Sequence, residues 1–126
     1  MKLHADKLDF QSVTAYGEGW IAINGQRHTH SLVLASSGQP QAWNCARFED
    51  LSPSHFEQLL TLTPEPPELV VFGSGARLRF VKPALLGSLM ERRVGMETMD
   101  TAAACRTFNV LAAEGRRVMA ALLVHA

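Results

Sequence analysis

The feature that most constrains this fold is an alternation of short apolar runs with helical segments after Glu68. "LVVFG" from Leu69, "VGMETMD" from Val94 and "VMAALLV" from Val118 read as strands, and the first and last carry no polar residue. Between them stand "PALLGSLMERR", opened by Pro83 and closed by Arg92 and Arg93, and "TAAACRTFNVLAAEGRR". A short run without a polar residue suits a strand buried on both faces. Strand, helix, strand, helix, strand at these lengths implies parallel strands with right-handed crossovers and helices on the faces. The carboxyl-terminal half is therefore expected to be a βαβαβ unit of a three-layer α/β fold.

The first third reads differently. Trp20 to Ile23 and Ser31 to Leu34 are β-favouring runs on either side of Asn24-Gly25, a dipeptide suited to a type I′ turn. A second turn at Ser36-Ser37-Gly38 leads to a short strand around Trp43, so an antiparallel three-stranded meander is predicted. Residues 1–13 are expected to form an arm or an edge strand. Ser52 and Pro53 then start a helix with an apolar stripe of Phe56, Leu59 and Leu60, ended by Pro64, Pro66 and Pro67. At 126 residues the chain is expected to be a single domain, 1–126.

Charge and composition exclude some functions. Formal net charge is zero, which removes the electrostatic hold that nucleic-acid binding relies on, so no nucleic acid is expected as partner. The amino terminus lacks the apolar core of a secretory signal, and no window reaches the roughly 20 apolar residues of a membrane span. The chain is expected to be soluble and cytoplasmic. Cys45 and Cys105 sit in different contexts and are expected to be free thiols.

In open α/β sheets the ligand crevice lies beyond the carboxyl ends of the parallel strands, here Gly73 to Arg77 and Met99 to Thr101. Gly73, Ser74, Gly75, Arg77, Asp100, Thr101, Arg106 and Asn109 are therefore the candidate binding residues. Each has a simpler explanation to set beside it. Gly73 and Gly75 let the chain turn tightly, and Leu78 stands where a dinucleotide fingerprint needs its third glycine. Asp100 fits a helix N-cap, which leaves little room for an anion. On a helical wheel Ala104, Phe108, Leu111 and Gly115 face the core with Cys105 and Ala112 on the flank. Cys105 thus reads as a packed thiol rather than a nucleophile. Arg106, Asn109, Ala113 and Arg116 fall on the opposite face, as a solvated or docking surface. His28 and His30 share one face of a strand without a third metal ligand, and Trp20 and Trp43 suit either a pocket wall or a core. No catalytic residue, metal or cofactor is assigned.

"MDTAAACRTFN", "EGR" at Glu114 to Arg116, "ING" followed by "SLVL", and "LVVFGSGA" together resemble the family containing mitochondrial complex I assembly factor 3 and the adipogenesis-associated domain of unknown function. The resemblance runs from about Tyr16 to Val124. It implies a three-layer domain with a mixed central sheet, parallel but for one antiparallel member. The family has no established catalytic mechanism or cofactor, so it supplies no active-site residues. Its mitochondrial branch implies a binding role in assembling the respiratory NADH dehydrogenase. With no targeting extension, this chain is expected to be a small prokaryotic member.

Three functions follow as expectations. The first is a non-enzymatic binding or assembly-factor-like protein with a protein partner, linked to respiratory or membrane complex assembly. The second is a small-molecule binding protein or enzyme using the crevice, with Asp100, Arg106 and Cys105. The third is a self-complementary homodimer.

Overall fold

The computed structural model describes residues 11–124. Within them the chain forms β1 (Val13–Gly17), β2 (Trp20–Ile23), β3 (Gln26–His28), β4 (Leu32–Ala35), β5 (Gln41–Ala42), α1 (Pro53–Leu59) and β6 (Leu69–Gly73). There follow α2 (Gly87–Glu91), β7 (Gly95–Met99), α3 (Thr101–Ala113) and β8 (Val118–Leu122). Five strands make a mixed sheet in the order β5-β4-β8-β6-β7. Strand β6 lies parallel to both β7 and β8, while β4 runs antiparallel to β8 and β5. The βαβαβ unit is present, and β4 is the one reversed member.

The apolar runs are buried because the sheet is covered on both faces. All five residues of β8 are buried, as are four of the five in β6. Alternate side chains of these strands project to opposite faces. Val71, Ala120 and Leu122 pack with Ala104, Cys105 and Phe108 of α3. Val70, Phe72, Met119 and Ala121 pack with Phe56 and Leu59 of α1 and Leu89 of α2. Trp43 closes this second core, its ring centroid 5.9 Å from that of Phe56 and 6.1 Å from that of Phe72, both edge-to-face. Helix α3 with the small sheet, the five-stranded sheet, and α1 with α2 make the three layers.

The meander is present but is composed differently from the expectation. Asn24 (φ 48°) and Gly25 (φ 86°) both take the positive φ of a type I′ turn, yet they join β2 to β3. The three antiparallel strands are β1, β2 and β3. Strand β4 pairs with β8 in the large sheet, and the short strand before Trp43 belongs there too. Strand β1 begins only at Val13, where the expected arm or edge strand ends; Gln11 and Ser12 are in no strand, and residues 1–10 of that expectation lie outside the described residues. Val13, Ile21 and Ile23 carry the small sheet onto the core around α3.

Helix α1 stops at Leu59, before the prolines, because Thr61 turns back on it: its N–H and Oγ1 both donate to the Gln58 carbonyl, at 3.0 and 2.9 Å. At its start the Ser52 N–H donates to His55 Nδ1 at 3.0 Å. The segment from Pro83 begins as a 3-10 turn (Pro83–Leu86) before becoming α2. On α3 the buried face is rotated from the wheel. Cys105 and Ala112 are buried with Ala104 and Phe108, Leu111 is half-buried, and Gly115 is exposed. Gly115 (φ 83°) instead ends the helix, its N–H donating to the Ala112 carbonyl while the Arg116 N–H reaches Leu111.

Candidate functional site

Where β6 ends, the chain is tied to the start of α3 by one hydroxyl. Thr101 Oγ1 accepts the Gly75 N–H at 2.9 Å and donates to the Leu123 carbonyl at 2.7 Å. The Thr101 N–H donates in turn to the Gly75 carbonyl at 2.9 Å. This rivet brings α3 so close to β6 that a Cβ on Gly73 would lie 2.9 Å from Thr101 Oγ1 and 3.0 Å from Thr101 Cα. Gly73 is thus needed for close approach, and Gly75 (φ 106°) for the turn. Ser74 is fully buried; its Oγ donates to the Arg77 carbonyl at 2.7 Å and accepts the Arg79 N–H at 3.0 Å. The glycine loop is internally bonded rather than an open cradle.

Asp100 is the N-cap of α3, with Oδ1 accepting the Ala103 N–H at 2.9 Å. The face of α3 read as a surface is met by β1 at Asn109 and Arg106, while Ala113 and Arg116 stay exposed. Asn109 acts as a strand mate to Val13: its Oδ1 accepts the Val13 N–H at 2.9 Å, and its Nδ2 donates to the Val13 carbonyl at 2.8 Å. Arg106 Nη1 donates to Tyr16 Oη at 2.6 Å, and this bond raises the arginine's pKa further. Packing therefore accounts for Asn109, and Arg106 has a defined partner.

A crevice of about 430 Å³ opens beside this junction. One wall is the β1–β2 hairpin from Tyr16 to Ile21; the other is Gly75, Ala76, Asp100, Thr101 and Ala102, with Val124 also lining it. Of the eight sequence candidates, Gly75, Asp100 and Thr101 line it. Arg106 reaches it through Tyr16, Gly73 and Ser74 are buried, Asn109 clamps β1, and Arg77 is exposed outside the lining. Of the hairpin wall, only Trp20 is offered by the sequence as a pocket residue. The wall's signal was Gly17-Glu18-Gly19 ahead of Trp20, whose indole lies against Gly17 and carries the Arg27 guanidinium 3.9 Å from its ring centre. A second cavity of about 470 Å³ lies where β5 gives out, between the Ser36–Gln39 turn, Leu62–Glu65 and Arg117. The sequence showed there only a turn and a proline-rich stop.

The thiols are both buried and free. Burial pushes the Cys105 thiol up to about 12, with Asp100 adding to the rise and Arg106 opposing it. Cys45 is likewise raised by burial and by Asp50, against a hydrogen bond donated to the Arg47 carbonyl. The His28 and His30 rings meet edge-on at 6.3 Å, and among the described residues no group of three or more metal-ligating side chains forms. Among those residues, too, no helix is long and apolar enough to cross a membrane.

These features define a class: a three-layer α/β domain whose mixed sheet carries a small antiparallel meander, with a crevice where the meander meets a helix start. The chain belongs to the family described as protein of unknown function (DUF498/DUF598), whose model matches residues 13–123. It is 32% identical over 111 residues to NADH dehydrogenase (ubiquinone) 1 alpha subcomplex assembly factor 3 of Bos taurus, covering 88% of this chain and 59% of that protein. The chain thus spans under two thirds of that relative's length. An uncharacterised protein of Rhodobacter capsulatus is 35% identical over 112 residues, covering 88% of this chain and 82% of its own. A crystal structure from Bordetella parapertussis superposes with a TM-score of 0.86 at 40% identity, covering 92% of this chain and 97% of that one. The family resemblance and the three-layer fold expected from the sequence both hold.

Proposed function

We propose that this protein is a non-enzymatic, assembly-factor-like binding protein that holds a segment of a protein partner in the crevice between the β1–β2 hairpin and the start of α3. The observation that carries this reading is the state of the nucleophiles at and behind that junction. The Thr101 hydroxyl is engaged as both donor and acceptor, the Ser74 hydroxyl is buried inside its loop, and the Cys105 thiol is fully buried with its pKa near 12. A thiol held that far above neutrality is not a thiolate at working pH. The groups that line the opening, Tyr16, Glu18, Trp20 and Asp100, suit recognition by hydrogen bonds and apolar contact. The names of the relatives support an assembly role, and a respiratory or other membrane complex is the assembly proposed as its object.

The test is capture from host extract by wild type and by Ala102→Arg, with proteins and small molecules both read by mass spectrometry. Ala102 lines the crevice without a side-chain bond, so the long arginine fills it and leaves the unfolding midpoint nearly unchanged. A protein retained by wild type and lost with the variant is the expected result. A metabolite retained without a protein would instead favour a small-molecule site.

A further inference from the structure

From Leu69 to Met90 the sequence contains no acidic residue, yet it carries Arg77, Arg79 and Lys82. The structure gives this stretch a definite shape. After β6 the chain is pinned at Ser74, which holds the Arg77 carbonyl and the Arg79 N–H. Arg79 turns inward: it bonds Glu49 at 2.7 Å and lies over the Phe48 ring at 4.2 Å. Val81 is buried in the core beneath α1 and α2. Successive residues of an extended segment point to opposite sides, so with Arg79 and Val81 inward, Leu78, Phe80 and Lys82 share the outward side, and Arg77, exposed in the bend just before that segment, flanks it.

That outward side is apolar and basic. Phe80 is 73% exposed and Leu78 49%. Arg77 and Lys82 form no ion pair among the described residues, while the nearby acids are taken, Glu49 by Arg79 and Asp50 by Arg47. Held outward together on a pinned segment, the two apolar side chains and the cations beside them form one exposed apolar and basic edge. Neither cavity is lined by residues 77–82, so the feature is a ridge, not a socket.

We propose that the Arg77–Lys82 ridge docks on a bilayer containing anionic phospholipid. Phe80 and Leu78 enter the boundary between headgroups and acyl chains, and Arg77 and Lys82 meet lipid phosphates. A folded partner would need a matching socket and about 800 Å² of its own surface, which two protruding side chains do not organise. A fluid bilayer receives such a ridge anywhere and rewards flanking cations. Binding is reversible and salt-sensitive, with each cation contributing about fivefold in affinity.

The experiment is co-sedimentation of the whole protein with phosphatidylcholine vesicles, with and without phosphatidylglycerol. Wild type is compared with Phe80→Ser, Arg77→Gln/Lys82→Gln and a control, Val110→Ser, an exposed apolar residue of α3. Unfolding midpoints check that each variant is folded. Wild type and Val110→Ser should sediment with the anionic vesicles only, and less at high salt. Phe80→Ser should weaken binding at least tenfold, and the double charge variant about twenty-five-fold, two cations at about fivefold each. Failure of wild type to bind anionic vesicles, equal binding to neutral ones, or retained binding by folded Phe80→Ser would each overturn the proposal. Phe80-dependent capture of an acidic protein without vesicle binding would also overturn it, giving the ridge to a protein partner.

Discussion

Replacing Thr101 by valine tests how the junction of β6, β8 and α3 is held. Valine keeps the size and branching of threonine and removes only the hydroxyl that bonds the Gly75 N–H and the Leu123 carbonyl. Gly75 and Leu123 are both buried, so one donor and one acceptor lose their partner. Each buried polar group left unsatisfied costs about 1–3 kcal/mol. Thr101 is half-buried beside the crevice, so water can reach part of the gap, and the expected loss is about 2–4 kcal/mol. That is a large share of the roughly 5–15 kcal/mol that holds a domain folded. Thr101→Ser keeps the hydroxyl and loses a methyl, for about 1 kcal/mol. Urea unfolding followed by circular dichroism reads both values, and hydrogen exchange at the Gly75 amide reports the rivet directly. If valine falls within about 0.5 kcal/mol of wild type, or serine costs as much as valine, the hydroxyl is not what holds the junction.

Three further outcomes follow from the same geometry. Asp100→Asn should change stability little, because asparagine caps nearly as well, while Asp100→Ala should lose about 0.5–2 kcal/mol by urea midpoint. Asn109→Ala should lose about 1–3 kcal/mol by removing both bonds to Val13, whereas Arg106→Ala, at the exposed end of the same clamp, should leave the midpoint nearly unchanged. Cys105 should resist a thiol reagent until the protein unfolds. Its folded pKa, raised from 9.0 to about 12, makes its contribution full below pH 9 and lost as pH rises toward 12, so unfolding midpoints should fall over that window.

What could be read in the sequence was what is local. The strands β6 and β8 announce themselves because both faces are covered, and Asp100 because an N-cap is decided within one helical turn. Strand β3 was missed because Gln26 and Arg27 are exposed at a sheet edge and show no apolar alternation. Strand β4 was given to the wrong sheet because a hairpin signal speaks for nearest neighbours, while Leu32 pairs with Leu122 at the other end of the chain. The site was half legible for the same reason. The loop and helix start that make one wall follow from the rule for open α/β sheets. The Asn109–Val13 clamp and the Arg106–Tyr16 bond join residues at least 90 positions apart, and the hairpin wall too faces residues distant in sequence, so no local pattern encodes them.

The most direct test of the crevice as a partner-binding surface is photo-crosslinking in the host from a benzophenone side chain placed at Ala102. The same group at Ala113, exposed near the far end of α3, serves as control. The account predicts one defined protein adduct from position 102 and none from 113, lost when Trp20 is replaced by alanine. No adduct at 102, or the same adduct at both positions, would contradict it.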